Sequence, residues 1–80
     1  MIILTVCAYV FAKLRPDASE ELLEGFNDSR LVQERSLING PFDVVMKVEG
    51  QTTNEIDIFV NGLSAVEGIK EIVNYLRLKL

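Results

Sequence analysis

The sequence predicts an α+β domain in which a strand–helix–strand unit occurs twice, the two units joined by a hairpin. Three observations carry this. Apolar residues dominate Leu4–Leu14, and Phe42–Glu49 alternates with a period of two, as strands do when one or both faces are buried. Ala18–Phe26 and Ile56–Leu63 instead space their apolar residues by three and four, as amphipathic helices do. Between the two units stands Asn39-Gly40, a strong hairpin signal.

The elements follow in order. Leu4–Leu14 is rich in Val, Tyr and Phe and reads as the first strand. Pro16-Asp17-Ala18-Ser19 breaks it and opens a helix whose first turn carries Glu20 and Glu21, matching the positive end of the helix dipole. Ala18, Leu22, Leu23 and Phe26 give this helix one apolar face, and Gly25 with Asn27-Asp28 marks its end. Leu31–Ile38 reads as a second, more polar strand. After the Asn39-Gly40 turn, Pro41 stands where a strand start tolerates a missing N–H. Phe42, Val44, Met46 and Val48 then alternate with Asp43, Val45, Lys47 and Glu49 in a half-buried third strand. Gly50 ends it. Thr52 or Thr53 caps the next helix, and Thr52 with Glu55 spells a capping box. Ile56, Phe59, Val60 and Leu63 form the cleanest helical stripe in the chain. Val66-Glu67-Gly68 leads into a last strand from Ile69 to Leu80, with Ile72, Asn74, Leu76 and Leu78 on one side and Val73, Tyr75, Arg77 and Lys79 on the other. The resulting βαββαβ order is the ferredoxin-like plan: a four-stranded antiparallel sheet with both helices on one face.

In that plan the second sheet face is open, and an open face left to water is polar. Here the first strand is apolar on both sides: Val6, Ala8, Val10 and Ala12 oppose Cys7, Tyr9 and Phe11. The last strand repeats this with Val73 and Tyr75. A face carrying that many large side chains exceeds the apolar patch a monomer usually shows. The expectation is a two-fold dimer that buries sheet against sheet, with the first strand central.

Composition narrows the chemistry. The chain has 80 residues, enough for one domain, and we take residues 1–80 as a single unit. It is 49% hydrophobic, yet it has one Cys and no His. An intrachain disulfide, a Cys/His zinc site, histidine acid–base catalysis and Ser-His-Asp machinery are therefore excluded. No metal or cofactor is expected. Small, apolar and unstapled points to oligomerisation as the further source of burial. Eight Lys and Arg against twelve Asp and Glu give a net charge of −4, and the basic residues are scattered, so general binding to nucleic-acid phosphates is disfavoured. No run of apolar residues is long enough to cross a membrane as a helix. The apolar start has neither a basic leader nor a signal-like cleavage site, and we read it as the first strand of a cytoplasmic protein.

Few residues carry chemistry. Cys7, in the strand with the most two-sided burial, reads as a buried, inert thiol. Asp43, close after the turn, is either a strand-end residue or a carboxylate that receives the ammonium group of a small ligand. The other carboxylates fit solvated helix faces and loop ends, and Arg77 and Lys79 read as surface cations. The glycines follow turn and cap positions, and neither a dinucleotide-binding nor a phosphate loop is present.

The segment Asn39-Gly40-Pro41-Phe42-Asp43, followed by the hydrophobic strand Val44-Val45-Met46-Lys47-Val48, resembles the signature of the effector-binding domain of the Lrp/AsnC (leucine-responsive/asparagine-operon) regulator family. That signature is a polar residue and Gly, then an aromatic followed by Asp, then a strand. Ala8-Tyr9-Val10-Phe11-Ala12 and Leu63-Ser64-Ala65-Val66-Glu67-Gly68-Ile69 are similar to the same family. The resemblance implies a RAM domain, named for the regulation of amino-acid metabolism, of βαββαβ fold. It implies dimers paired through their sheets and assembled into an octamer or decamer. It also implies amino acids or similar small effectors held between neighbouring dimers. By position, the ligand-binding candidates are Asn39, Gly40, Pro41, Phe42 and Asp43. Family members commonly place small polar residues four and six positions after the Gly that opens the last strand; counted from Gly68, those positions hold Ile72 and Asn74, and Asn74 joins the candidates. With nothing before the first strand to read DNA, the expectation is a stand-alone, non-enzymatic sensor module. It would modulate transcription alone or by co-assembly with full-length Lrp/AsnC regulators. Three alternatives remain. One is a small dimeric monooxygenase-like enzyme, which usually presents His, Trp, Asn or Tyr in a cleft; this chain has no His or Trp. Another is an ACT-like amino-acid-binding module, whose usual helix-opening Gly is missing from Arg15–Ser19. The third is a purely structural oligomer without ligand.

Overall fold

The computed structural model describes residues 5–18, 22 and 30–77. Its elements are β1 (Val6–Leu14), β2 (Val32–Leu37), β3 (Val44–Gly50), α1 (Thr53–Ser64) and β4 (Ile69–Leu76). All four strands form one sheet in the order β2-β3-β1-β4, and every neighbouring pair is antiparallel. Since β1 lies between β3 and β4 and runs against both, β3–α1–β4 is a split βαβ unit. This is the ferredoxin-like α+β architecture expected above. The helix expected over Ala18–Phe26 lies outside the described residues save for Ala18 and Leu22, and so does the tail of the last strand beyond Arg77.

Alternation along the strands decides what α1 covers. Ala8, Val10 and Ala12 of β1 and Val44, Met46 and Val48 of β3 are fully buried, because the register sets each beside an equally apolar partner: Ala8 opposite Val48, Val10 opposite Met46, Ala12 opposite Val44. Ile56 of α1 and Ile69 of β4 complete this core, with Phe59, Val60, Leu63, Ile72 and Leu22 packed against it. The stripe read from the sequence is the buried face of α1. Thr52 caps the helix, its hydroxyl accepting from the Glu55 amide at 3.2 Å. The capping box closes one residue early: the Glu55 carboxylate accepts from the Gln51 amide, not from that of Thr52.

The hairpin is present, but its turn differs from the two-residue form that Asn39-Gly40 suggests. Leu37 pairs with Val44, the Ile38 amide donates to the Asp43 carbonyl at 2.9 Å, and four residues, 39–42, form the loop. Gly40 does not adopt a positive φ; among the described residues Gly68 alone does, at +103°. Pro41 is the physical reason. A two-residue turn centred on Asn39-Gly40 needs an amide proton at position 41, which proline lacks, and proline also pushes the residue before it toward extended backbone. Phe42 consequently lies in the turn and not in β3.

The face away from α1 carries Cys7, Tyr9 and Phe11 from β1, Val45 and Lys47 from β3, and Val73 and Tyr75 from β4. Phe11 is the centre of an aromatic row: its ring centroid is 5.8 Å from that of Phe42 and 6.0 Å from that of Tyr75, the latter edge-on. Tyr75 is 60% exposed and Tyr9 38% exposed in the single chain. Cys7, read from the sequence as buried, is only half-buried on this open face.

Candidate functional site

The Asn39–Asp43 turn is fastened to the C-terminal end of β1. The Asp43 amide donates to the Ala12 carbonyl at 3.0 Å, and the Asp43 carboxylate accepts from the Leu14 amide at 2.9 Å through Oδ2. The Lys13 ammonium reaches the Pro41 carbonyl at 3.2 Å on the exposed side. A register shift between Lys13 and Leu14 in the pairing with β4 marks the same place as a β-bulge. The aromatic residue of the turn faces the open side, through Phe11, while Asn39, Gly40 and Pro41 are exposed. Five of the six sequence-nominated residues thus form one unit, with Asp43 half-buried at its root.

Asn74 stands apart from that unit within one chain. It pairs with Val10 on the helix-covered side, between Ile72 and Leu76, and is half-buried there. The turn is anchored at Ala12 and Leu14, two to four residues further along β1, or about 7–13 Å at strand rise. Ile72 packs against the core.

The end of the sheet that holds the turn also holds charge of both signs. Because Leu14 pairs with Ile69, the loop after β1 meets the loop before β4: the Arg15 amide donates to the Gly68 carbonyl at 2.8 Å. Arg15, Asp17, Ala18, Glu67 and Gly68 line a cavity of about 240 Å³ there. Nothing in the spacing of Arg15 and Glu67 along the sequence places them together; the β1–β4 register does. A larger cavity of about 340 Å³ lies at the opposite end, where Arg30, Gln33, Glu49, Gln51 and Glu55 converge. An ion pair there, Arg30 to Glu55 at 3.8 Å, has an arginine 88% exposed, so it holds little energy. Among the described residues no three His, Cys, Asp or Glu side chains are grouped to hold a metal ion. No buried side-chain polar atom there lacks a partner.

No protein-family model matches the sequence, and no curated protein matches it. Solved structures do match. TTHA0845 from Thermus thermophilus superposes with a TM-score of 0.85 at 25% identity, over 94% of this chain and 95% of its own. An AsnC family transcriptional regulator from Agrobacterium tumefaciens matches with a TM-score of 0.84 at 16% identity, over 98% of this chain and 53% of its own. The fold is that of the Lrp/AsnC RAM domain. A third match is the transcriptional regulator NMB0573 from Neisseria meningitidis, solved as an L-Met complex. Its TM-score is 0.78 at 19% identity, over 92% of this chain and 50% of its own. The chain spans about half the length of these two regulators, and no helix among its described residues is long and apolar enough to cross a membrane.

Proposed function

We propose that residues 1–80 form one RAM-like domain that binds a small effector, self-assembles and performs no catalysis. The observation that carries this reading is the apolar open face, with its Phe42–Phe11–Tyr75 row, in a domain whose fold occurs in transcriptional regulators. Two copies packed open face to open face bury that row, and further association of such dimers gives an octamer or decamer. The effector is an amino acid or a similar metabolite, bound where Asn39, Gly40, Pro41, Phe42 and Asp43 stand at the sheet end. The L-Met complex of NMB0573 supports that ligand class. An amino acid carries an ammonium and a carboxylate, and this end offers Asp43 for the first and Arg15 for the second. Asn74 enters the site only as the contribution of a neighbouring copy, because within one chain it lies opposite Val10.

The working mode is linkage. A ligand that binds the assembled form more tightly than the separate chains shifts the population toward assembly by mass action. The module then acts on transcription indirectly, alone or by entering assemblies of full-length Lrp/AsnC regulators in the cytoplasm, without touching DNA itself.

The test is the solution mass of the chain across a concentration series, with and without a mixture of the twenty amino acids. We expect a dimer or larger species without ligand and a change in its distribution with the mixture. A monomer at micromolar concentration sinks the interface, and an unchanged distribution with no calorimetric binding sinks the sensing.

A further inference from the structure

We propose that Asp43 is a positioning residue that couples the effector end of the sheet to the open-face interface by holding Phe42 in the aromatic row. The inference rests on the reading that two copies bury their open faces and that the effector binds at the Asn39–Asp43 turn. It goes further by naming the part that links the two sites.

The turn belongs to both places at once. Phe42 is not on a strand, so no ladder of backbone bonds fixes its ring over the open face. What fixes it is the anchoring of the turn, and Asp43 supplies most of that. Its amide is bound to the Ala12 carbonyl, its carbonyl takes the Ile38 amide, and its carboxylate takes the Leu14 amide at the bulge. The remaining tie, from Lys13 to the Pro41 carbonyl, is solvent-exposed and weak. One residue before this anchor, the Phe42 ring packs on Phe11, and Phe11 packs on Tyr75. A ligand ammonium drawn to the Asp43 carboxylate therefore acts on the group that sets where Phe42 lies. The coupling is a physical chain of contacts: carboxylate, turn, ring, interface.

A mutant cycle on the full chain tests this without needing the ligand. Self-association is measured by sedimentation equilibrium for the natural chain, Phe42→Ala, Asp43→Ala, the double variant and Asp43→Asn, with circular dichroism confirming that each is folded. Phe42→Ala is expected to weaken association about tenfold, since the face-to-face interface loses one aromatic ring from each protomer. Asp43→Ala, whose carboxylate bonds the Leu14 backbone, is expected to weaken it by a comparable factor, and the double variant no more than Phe42→Ala alone. Asp43→Asn keeps an oxygen for the Leu14 amide and is expected to associate like the natural chain. A purely electrostatic role for Asp43 would not allow that rescue. Should Asp43→Ala fail to fold, Pro41→Gly, which loosens the turn and leaves Asp43 in place, is expected to weaken association in the same direction.

The two failures are distinct. A natural chain that associates, with Asp43→Ala (or Pro41→Gly in its stead) unchanged or with losses that simply add, overturns the coupling and leaves the interface standing. A natural chain that is monomeric throughout overturns the interface reading and the coupling with it.

Discussion

The Leu14 amide donates to the Asp43 carboxylate at 2.9 Å, so the last amide of β1 is satisfied by a side chain from the turn before β3. This bond gives Asp43 a structural duty in the isolated chain, whatever it later offers a ligand. Removing the carboxylate leaves a half-buried N–H with no partner, which costs about 1–3 kcal/mol. Asp43→Ala should therefore lower the midpoint of urea unfolding at fixed protein concentration, while Asp43→Asn, which retains an acceptor oxygen, should lose much less. Equal losses in both variants would show that charge, and not the Leu14 bond, is what the position supplies.

The same pair separates structure from sensing. If an amino acid's ammonium is received by Asp43, the neutral Asp43→Asn side chain offers it a weaker partner, because charge-assisted bonds are roughly twice as strong as neutral ones. Asp43→Asn is then expected to bind the amino-acid mixture at least tenfold more weakly by calorimetry while staying folded and assembled. Unaltered binding would move the ammonium site away from Asp43.

Two glycines make opposite predictions. Gly68 has φ +103°, and an added Cβ would come 2.8 Å from Leu22 Cδ2 and 3.6 Å from the Ala18 Cβ. The Leu22 methyl can swing aside, so the main cost is the backbone: Gly68→Ala should destabilise by about 1–3 kcal/mol. Gly62 lies within α1 with nothing near its Cβ position. Gly62→Ala should stabilise by about 0.5–1 kcal/mol, through helix propensity alone. Thermal melts of both variants at one concentration decide the pair.

These residues also show where the sequence was legible and where it was not. The faces of β1, β3 and β4 were readable because a period of two leaves no freedom once one side is buried; Ala8, Val10, Ala12, Val44, Met46 and Val48 fell where alternation put them. The stripe of α1 was readable for the same reason at a period of 3.6. The turn was readable as a turn but not in its form, because the Asn39-Gly40 signal is local and the missing amide of Pro41 overrides it. Long-range partners were not readable. That the Asp43 carboxylate reaches Leu14, or that Arg15 meets Gly68, depends on the register of β1 with its neighbours, and no spacing within either segment encodes it. Asn74 was nominated by counting from Gly68, a rule that carries no information about the hairpin turn on the far side of β1.

The start of α1 offers a check on which of its contacts holds energy. The Thr52 hydroxyl accepts from the Glu55 amide, and the Glu55 carboxylate in turn accepts from Gln51. Thr52→Ala should cost about 1 kcal/mol, seen as a lower urea midpoint with an unchanged slope, and Thr52→Ser should restore it. Arg30→Ala should change stability by less than about 0.5 kcal/mol, because its 3.8 Å pairing with Glu55 is made by a largely exposed side chain.

The open face yields the sharpest separation of folding from assembly. Tyr75 sits on an edge strand, 60% exposed, and among the described residues of one chain its ring makes a single aromatic contact, to Phe11. Replacing it with lysine forfeits that contact, worth about 0.5–1.5 kcal/mol, so the isolated fold should survive. In a face-to-face dimer the same substitution sets an ammonium into a desolvated apolar layer in both protomers. An unpaired buried charge costs several kcal/mol, far more than the lost ring contact. Tyr75→Lys should thus give a folded monomer, with native far-ultraviolet circular dichroism and a sedimentation mass reduced to one chain. A Tyr75→Lys protein that still sediments as the natural assembly would place the interface on another surface.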